Sequence, residues 1–359
     1  MLFDEHVVNG NNPLLRNGRH ICIMSPISHN RSTLRTSTPH TTDPELKAPA
    51  QGQYDPTRFR VDWNRTGHFG KGTGMSTNND VTTIEGLSST IADMIRERTS
   101  IPAVALHVQA ADGSAILDPH TLRDIDKRDL ASPALTDTKY GGPYPVPTEW
   151  NDPVDADGTP LFLLAQWNFA DLPHLDGYPT DGLLQLFIAE DVEAEHSWEI
   201  RYLPAPLLSD VRVVAPSWTS DLNDLPFSGP DVTFKLVGAP IRNPMDTSDR
   251  GIEDLIDECL NRLGDEARDL YDDNDADIDD LLFELLGTGG HLLGGHPTFT
   301  QDDPRDWLDD GDDLVQLAQI DSIEFSMMLG DNGIGHILIP RDALRNWDLS
   351  RAVYQWDCY

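Results

Sequence analysis

The stretches LFLLAQWN (161–168) and LVQLAQID (314–321) place Leu, Leu, Ala and Gln at identical steps, 153 positions apart. Sliding the chain against itself by that offset extends the match. Gly141, Gly142, Asp157, Gly158, Leu161, Leu164, Ala165, Gln166, Gly177 and Gly182 recur as Gly294, Gly295, Asp310, Gly311, Leu314, Leu317, Ala318, Gln319, Gly330 and Gly335. Ordinary residue frequencies would give roughly three identities over such a window. The matched residue types have physical reasons to recur: glycine supplies turns that need positive φ, and the LxxLAQ positions keep one set of side chains facing the core. The repeat predicts an α+β fold built from a duplicated unit of helix plus antiparallel strands. Its two pseudo-symmetric halves, 81–240 and 241–359, would share one core.

Local patterns fill in this unit. Ile84, Leu87, Ile91, Met94 and Ile95 are spaced for a helix over 84–98 with one buried stripe. Ile252, Leu255, Ile256, Cys259, Leu260, Leu263, Ala267 and Leu270 predict a single long helix over 252–271, so that each half opens with a helix, and a shorter helix is expected at 278–286. Strands are expected at 103–108, 161–167, 183–190, 198–203, 211–214 and 232–238, and again at LVQLAQI, IEFSMML, HILIP and AVYQW. The links between them are mostly too short for helical crossovers, so the pairing should be antiparallel.

The first 74 residues stand apart. They hold nine Lys or Arg against six Asp or Glu and are rich in Ser, Thr, Pro and Asn, leaving 17 basic against 55 acidic residues for the remainder. A segment of that composition buries too little apolar surface to offset its ordering entropy. Residues 1–80 therefore read as a disordered arm, and Met75, at the boundary, marks an alternative translation start. With a net charge of −35, attraction to nucleic acid or to an anionic membrane surface is not expected and a basic protein partner is favoured. No run of about 18 apolar residues and no signal-peptide core is seen, which makes the cytoplasm the default expectation. Cys22, Cys259 and Cys358 are scattered, and neither a disulfide framework nor a zinc site is expected. Walker A, GxSxG, HExxH and dinucleotide signatures are all missing, so neither a cofactor nor a catalytic residue is assigned.

The ordered series KYGGPYPVP, PLFLLAQWNFADLPHLDGYPTDGLLQLFIAED, HLLGGHPTFTQDDPR, LAQID, GDNGIGHILI and LRNWDLSRAVYQWDCY resembles the YwqG-like proteins, a family of uncharacterised bacterial proteins. The resemblance runs from about Ile84 to Tyr359. It implies one α+β domain in the cytoplasm and carries no established activity or catalytic residue. Some members are encoded near polymorphic-toxin genes, which implies a neutralising or accessory role.

Three groups of polar residues are candidates for a site. The repeat pairs Gln166 and Asn168 with Gln319 and Asp321, and the halves could bring these together around a ligand. The competing reading has them hydrogen-bonding turns at strand ends. His291, His296 and Arg305 surround the second GG turn and, with Asp302, Asp303 and Asp331, could line an anion or metal pocket. Asp273, Asp275, Asp277, Asp279 and Glu284 have the 1, 3, 5, 7, 12 spacing of a calcium loop. Ile278 occupies the position that needs glycine, however, and a solvated acidic linker before the next helix accounts for the same residues. The leading expectation is a non-enzymatic acidic interaction protein, with immunity-like toxin neutralisation as its specific form. The alternative is a small-ligand or metal-binding protein, or a hydrolase, using a cleft between the halves.

Overall fold

In a computed structural model of the chain, the residues described are 7–9, 81–116, 127–189, 198–215, 227, 232–287, 289–308, 311–323 and 327–358. They form a mixed helix and sheet fold in which every strand pairing is antiparallel. The strands are β1 (Val7–Asn9), β2 (Ile101–Gln109), β3 (Ala115–Ile116), β4 (Lys139–Tyr140), β5 (Tyr144–Pro147), β6 (Phe162–Asn168) and β7 (Leu183–Ile188). They continue as β8 (Trp198–Leu203), β9 (Val211–Val214), β10 (Phe234–Asn243), β11 (His291–Gly294), β12 (Leu314–Asp321), β13 (Ile334–Pro340) and β14 (Val353–Asp357). The helices are α1 (Ile84–Thr99), α2 (Ile252–Leu263), α3 (Asp265–Asp272), α4 (Asp275–Leu286) and α5 (Arg341–Asn346). No helix among the described residues is long and apolar enough to cross a membrane.

The main sheet runs β1-β8-β7-β6-β4-β10-β2-β11-β12-β13-β14, with β3 beside β2, while β5 and β9 form a separate pair. The order does not follow the chain. The early strand β2 sits between β10 and β11, and β4 sits between β6 and β10. The antiparallel pair β2–β10 at the centre matches Ile101–Val108 with Leu236–Asn243. Pro240 is tolerated there because β10 is bonded to β4 only at Phe234 and Lys235, leaving its other side open at Pro240.

The offset read from the sequence reappears in the strand registers. Lys139 and Tyr140 pair with Gln166 and Ala165, and Leu292 and Leu293 pair with Gln319 and Ala318. A bulge falls between Leu163 and Ala165 in β6 and between Gln316 and Ala318 in β12. Gly141 and Gly142 have φ of 63° and 75°, Gly294 and Gly295 of 65° and 81°, so both GG turns need glycine. Beyond the turn that follows, the match of Gly182 with Gly335 does not hold. Asn168 pairs with Leu183 and Asp321 with Ile334, so the second turn is two residues shorter. Gly333 takes the place of Gly182: its carbonyl accepts from Ser322 Oγ at 2.8 Å, as that of Gly182 accepts from the Phe169 N–H at 3.1 Å.

Helices stand where they were expected: α1 leads into β2, α2 to α4 follow β10, and all four share one apolar cluster. Leu87, Ile91 and Ile95 of α1 meet Ile256, Leu260, Ile278, Leu282 and Leu286 there, each at most 7% exposed. Each such side chain contributes about 1.5–3 kcal/mol by leaving water. The helix expected over 252–271 is broken at Gly264, whose φ of 99° lies outside helical space. Apolar periodicity carries through the break because α2 and α3 bury neighbouring faces against the same cluster. The strand expected at 323–329 is replaced by isolated bridges, Ile323 with Met327 and Leu329 with Gly333, and residues 324–326 lie outside the described set. Within the arm read as disordered, Val7–Asn9 form β1 on the edge of β8, because backbone pairing requires no apolar periodicity; the rest of the arm and Met75 lie outside the described residues.

Deleting residues 81–116 removes the strand between β10 and β11 together with α1. The truncated chain is expected to lose its cooperative thermal transition, whereas residues 81–359 retain it. Circular dichroism melts of the two would check this.

Candidate functional site

Gln166 and Gln319 are both fully buried, in β6 and β12. An amide buried without partners costs several kcal/mol, so their surroundings must satisfy them. Gln166 Nε2 donates to the carbonyls of Leu135 at 3.0 Å and Asp137 at 2.9 Å, and its Oε1 accepts from Gln185 Nε2 at 2.9 Å. Gln319 Nε2 donates to the Gly290 carbonyl at 2.9 Å, while its Oε1 accepts from the Thr298 N–H at 2.9 Å. Next to each, the N–H of Asn168 donates to Thr138 Oγ1 at 2.9 Å and that of Asp321 to His291 Nδ1 at 3.0 Å. Each glutamine thus clamps the segment entering β4 or β11. The two glutamines have separate sets of hydrogen-bond partners, and in the sheet β4, β10, β2 and β11 stand between their strands.

What does meet is Tyr140 of β4 and His291 of β11, whose rings lie edge to face with centroids 4.8 Å apart. The N–H of Asp321 donates to Nδ1, which places the His291 proton on Nε2. Burial, with a lesser effect of His107, depresses His291 to about 3 and keeps the ring neutral. Tyr140 is fully buried, and its hydroxyl has no hydrogen-bond partner. Asp321 accepts from the N–H groups of Gly290 at 2.6 Å and Ser322 at 2.7 Å. Burial outweighs those bonds and pushes Asp321 up to about 6. Its charge adds to the burial that raises Tyr140. Asn168 closes a local turn through Asp171 Oδ2 at 2.9 Å and the Ala170 N–H at 3.1 Å.

A second polar group joins the link between β10 and α2 to residues 296–305. Arg305 Nη2 binds Asp249 at 2.8 Å, and its Nε reaches both oxygens of Asp303 at 2.9 and 3.0 Å. The three side chains are 10%, 4% and 2% exposed. Burial opposes ionisation of Asp303, but its bonds to Arg305 overcome this and hold it below the usual carboxylate range. His296 donates from Nε2 to the carbonyl of Thr99 at the end of α1, 3.0 Å away, and its Nδ1 stands 4.0 Å from Asp249. Thr298 Oγ1 donates to Asp246 at 2.5 Å. An open pocket of about 630 Å³ adjoins Arg305. Arg250, Arg305 and Arg351 on its walls are balanced by Asp306, Asp313 and Asp342, so it has no net attraction for an anion.

The remaining candidates are not drawn in. Asp331 is exposed on the β12–β13 turn, where Asn332 Nδ2 donates to it at 3.4 Å, and Asp302 is likewise exposed. The calcium-loop reading fails because α4 begins at Asp275. Asp275, Asp277 and Glu284 are strung along one helix, whose nine-residue step from first to last rises about 13 Å, and Asp273 caps the end of α3. Among the described residues no group of three or more His, Cys, Asp or Glu is arranged to hold a metal. Cys259 packs in the helical cluster, where burial pushes its thiol up. The sequence reading singled out neither Asp246 nor Asp249 and gave Tyr140, within KYGGPYPVP, no role of its own, because the partners Thr298, Arg305 and His291 lie 50 or more residues away.

Replacing Arg305 with Ala leaves Asp303 and Asp249 buried without their cation and is expected to cost about 3–5 kcal/mol in urea denaturation. For Asp321 the folded value lies above the ordinary value of about 3.9. Its contribution to stability is complete below about 4 and is lost as the pH rises through about 6. Asp321→Asn is therefore expected to flatten the fall in melting temperature across that window.

Among curated proteins none matches the chain. Residues 138–358 match the family described as Domain of unknown function (DUF1963). The matched segment runs from Thr138, which binds the Asn168 N–H, to Cys358, and so takes in Gln166, Gln319, the Tyr140–His291 contact and the Arg305 ion pairs. Because the match covers more than half of its length, this chain belongs to the DUF1963 family.

Proposed function

We propose that residues 81–359 are a duplicated unit of the YwqG-like kind, working in the cytoplasm as an acidic interaction module that receives a basic protein. Neutralisation of a toxin domain, in the manner of an immunity protein, is the specific form of this reading. The observation that carries it is the segregation of charge. Residues 252–286 hold 14 Asp or Glu, every one exposed, against two arginines. Arg268 is already paired with Asp257 at 2.7 Å. Amid these acids Phe283 of α4 is 52% exposed, giving an apolar anchor on a charged face. Such a face steers a cationic partner and fixes its register, while the aromatic contact slows its release.

The duplication is supported by the strand order, in which β8-β7-β6-β4-β10 mirrors β14-β13-β12-β11-β2, and by the shared register and bulge of β6 and β12. The matching glutamine bonds to Asp137 and Gly290 support it further. The test is to identify cross-linked partners in the host and measure their affinity over a range of salt. Neutralising Asp273, Asp275, Asp277, Asp279 and Asp280 to Asn should weaken binding at least ~10-fold and flatten its salt dependence. Affinity that is indifferent to salt and to these changes would sink the proposal.

A second reading, a small-ligand or metal-binding protein or hydrolase, is favoured by one observation: the unpartnered Tyr140 hydroxyl beside neutral His291 and Asp321. If Tyr140 only fills the core, Tyr140→Phe should stabilise the fold by about 1 kcal/mol, since it removes an unsatisfied buried hydroxyl. If it binds a ligand, a metabolite or metal that raises the melting temperature of the wild type should lose that effect in Tyr140→Phe.

A further inference from the structure

His336 of β13 is fully buried and points two nitrogens at fixed partners. Its Nδ1 lies 3.3 Å from Gln316 Oε1. The orientation of that amide is set from its other end, because Gln316 Nε2 donates to the carbonyls of Gly294 at 2.9 Å and His296 at 3.3 Å. Oε1 can only accept, so Nδ1 carries the ring proton and Nε2 carries a lone pair. That lone pair faces Asp357 Oδ1 of β14 at 3.8 Å, and neither atom has any other partner. The other carboxylate oxygen, Oδ2, accepts from the N–H groups of Thr300 and Gln301, both at 2.8 Å. Two acceptors therefore face each other in a dry interior. With the ring neutral and the carboxylate ionised, both desolvated lone pairs would be unsatisfied, at several kcal/mol.

We propose that His336 and Asp357 hold one proton between Nε2 and Oδ1, and that this shared proton latches β14 and the 299–301 turn onto the sheet. Drawing the pair together by about 1 Å gives an ordinary charge-assisted hydrogen bond. Gln301 Nε2, which donates to the Cys358 carbonyl at 2.5 Å, closes the same latch from the opposite side. The groups around the pair are few: Phe299 packs on the imidazole with centroids 4.6 Å apart, the Thr300 hydroxyl stands beside the carboxylate, and Asp303 and Arg305 act from the adjoining ion pair with opposite sign. The Cys358 thiol is buried next along the chain.

The electrostatic surroundings of the pair favour the uncharged form of both groups. Burial raises Asp357 against the pull of its bonds from Gln301 and Thr300, and burial depresses His336 to about 3. For the raised carboxyl, stability is complete below its unfolded value and is lost as the pH rises through its folded value. For the depressed imidazole, stability is present above its unfolded value of about 6.5 and is lost as the pH falls through about 3. The latch is thus released from the alkaline side by loss of the shared proton.

Asp357→Asn tests this, because an amide nitrogen in the Oδ1 position donates permanently where the acid donates only while protonated. Melting temperatures of wild type, Asp357→Asn and Asp357→Ala would be followed from pH 4 to 9, with the Asp357 carboxyl carbon titrated by NMR in the wild type. The expected result is that Asp357→Asn loses the alkaline decline of the wild type and matches or exceeds it at high pH, while Asp357→Ala is less stable throughout. The wild-type carboxyl should titrate at least about one unit above an ordinary aspartate. An Asn variant less stable than wild type at every pH, or a carboxyl titrating in the ordinary range, would mean an ionised Asp357 bridged to His336 by water and would overturn the proposal. The NMR titration decides the question even if Asp357→Asn fails to fold.

Discussion

The antiparallel pairing of β2 with β10 is the constraint on which the other elements depend. Eight residues of each strand are matched, and the outer sides of the pair carry β11 and, through the end of β10, β4. β2 comes from the first part of the chain yet borders strands of the last part, so neither part can satisfy its backbone groups alone. Closing this pairing joins residues more than 120 positions apart, and its loop entropy must be met before the sheet can extend outward. The helices have their place for the same reason: α1 runs into β2 and α2 follows β10, so one apolar cluster forms where the two strands end.

Outward from that centre, buried polar groups determine register. Gln166 and Gln319 sit where an apolar side chain would pack, and each holds the entering segment of a neighbouring strand through carbonyls that no ladder bond reaches. A glutamine at this point fixes where the GG turn begins, which explains its recurrence beside two positive-φ glycines without reference to any ligand. The Arg305 ion pairs and the His336–Asp357 pair perform comparable work in the later part, where longer connections must be held down. A buried ion pair of the same kind, Arg201 with Glu199 at 2.7 Å, stands on β8 beside β7.

The charge distribution is uneven. Helices α2 to α4 face the interior with Ile256, Leu260, Ile278, Leu282 and Leu286 and turn their acids outward, so 14 of the chain's 61 acidic residues share one exposed segment. In the proposed function, recognition belongs to the helices and the sheet supplies rigidity.

Much of this was legible in the residues. The 153-position offset, the strands at 161–167, 198–203, 211–214 and 314–320, the buried stripe of α1 and the antiparallel pairing all follow from period and turn chemistry, which act between near neighbours. The break at Gly264 was concealed because apolar spacing continues across it, and the two-residue shortening before β13 because Gly182 and Gly335 are coincidentally aligned. For the candidate site, the sequence pointed to Gln166, Gln319, Asp321, His296 and Arg305 but not to what they bind. Composition, helix periodicity and the repeat were determined by the sequence alone because each is a local property of the chain. The insertion of β2 between β10 and β11, the meeting of Tyr140 with His291 and the facing lone pairs of His336 and Asp357 were decided by tertiary structure, because only folding brings together, and dries, groups that lie far apart along the chain.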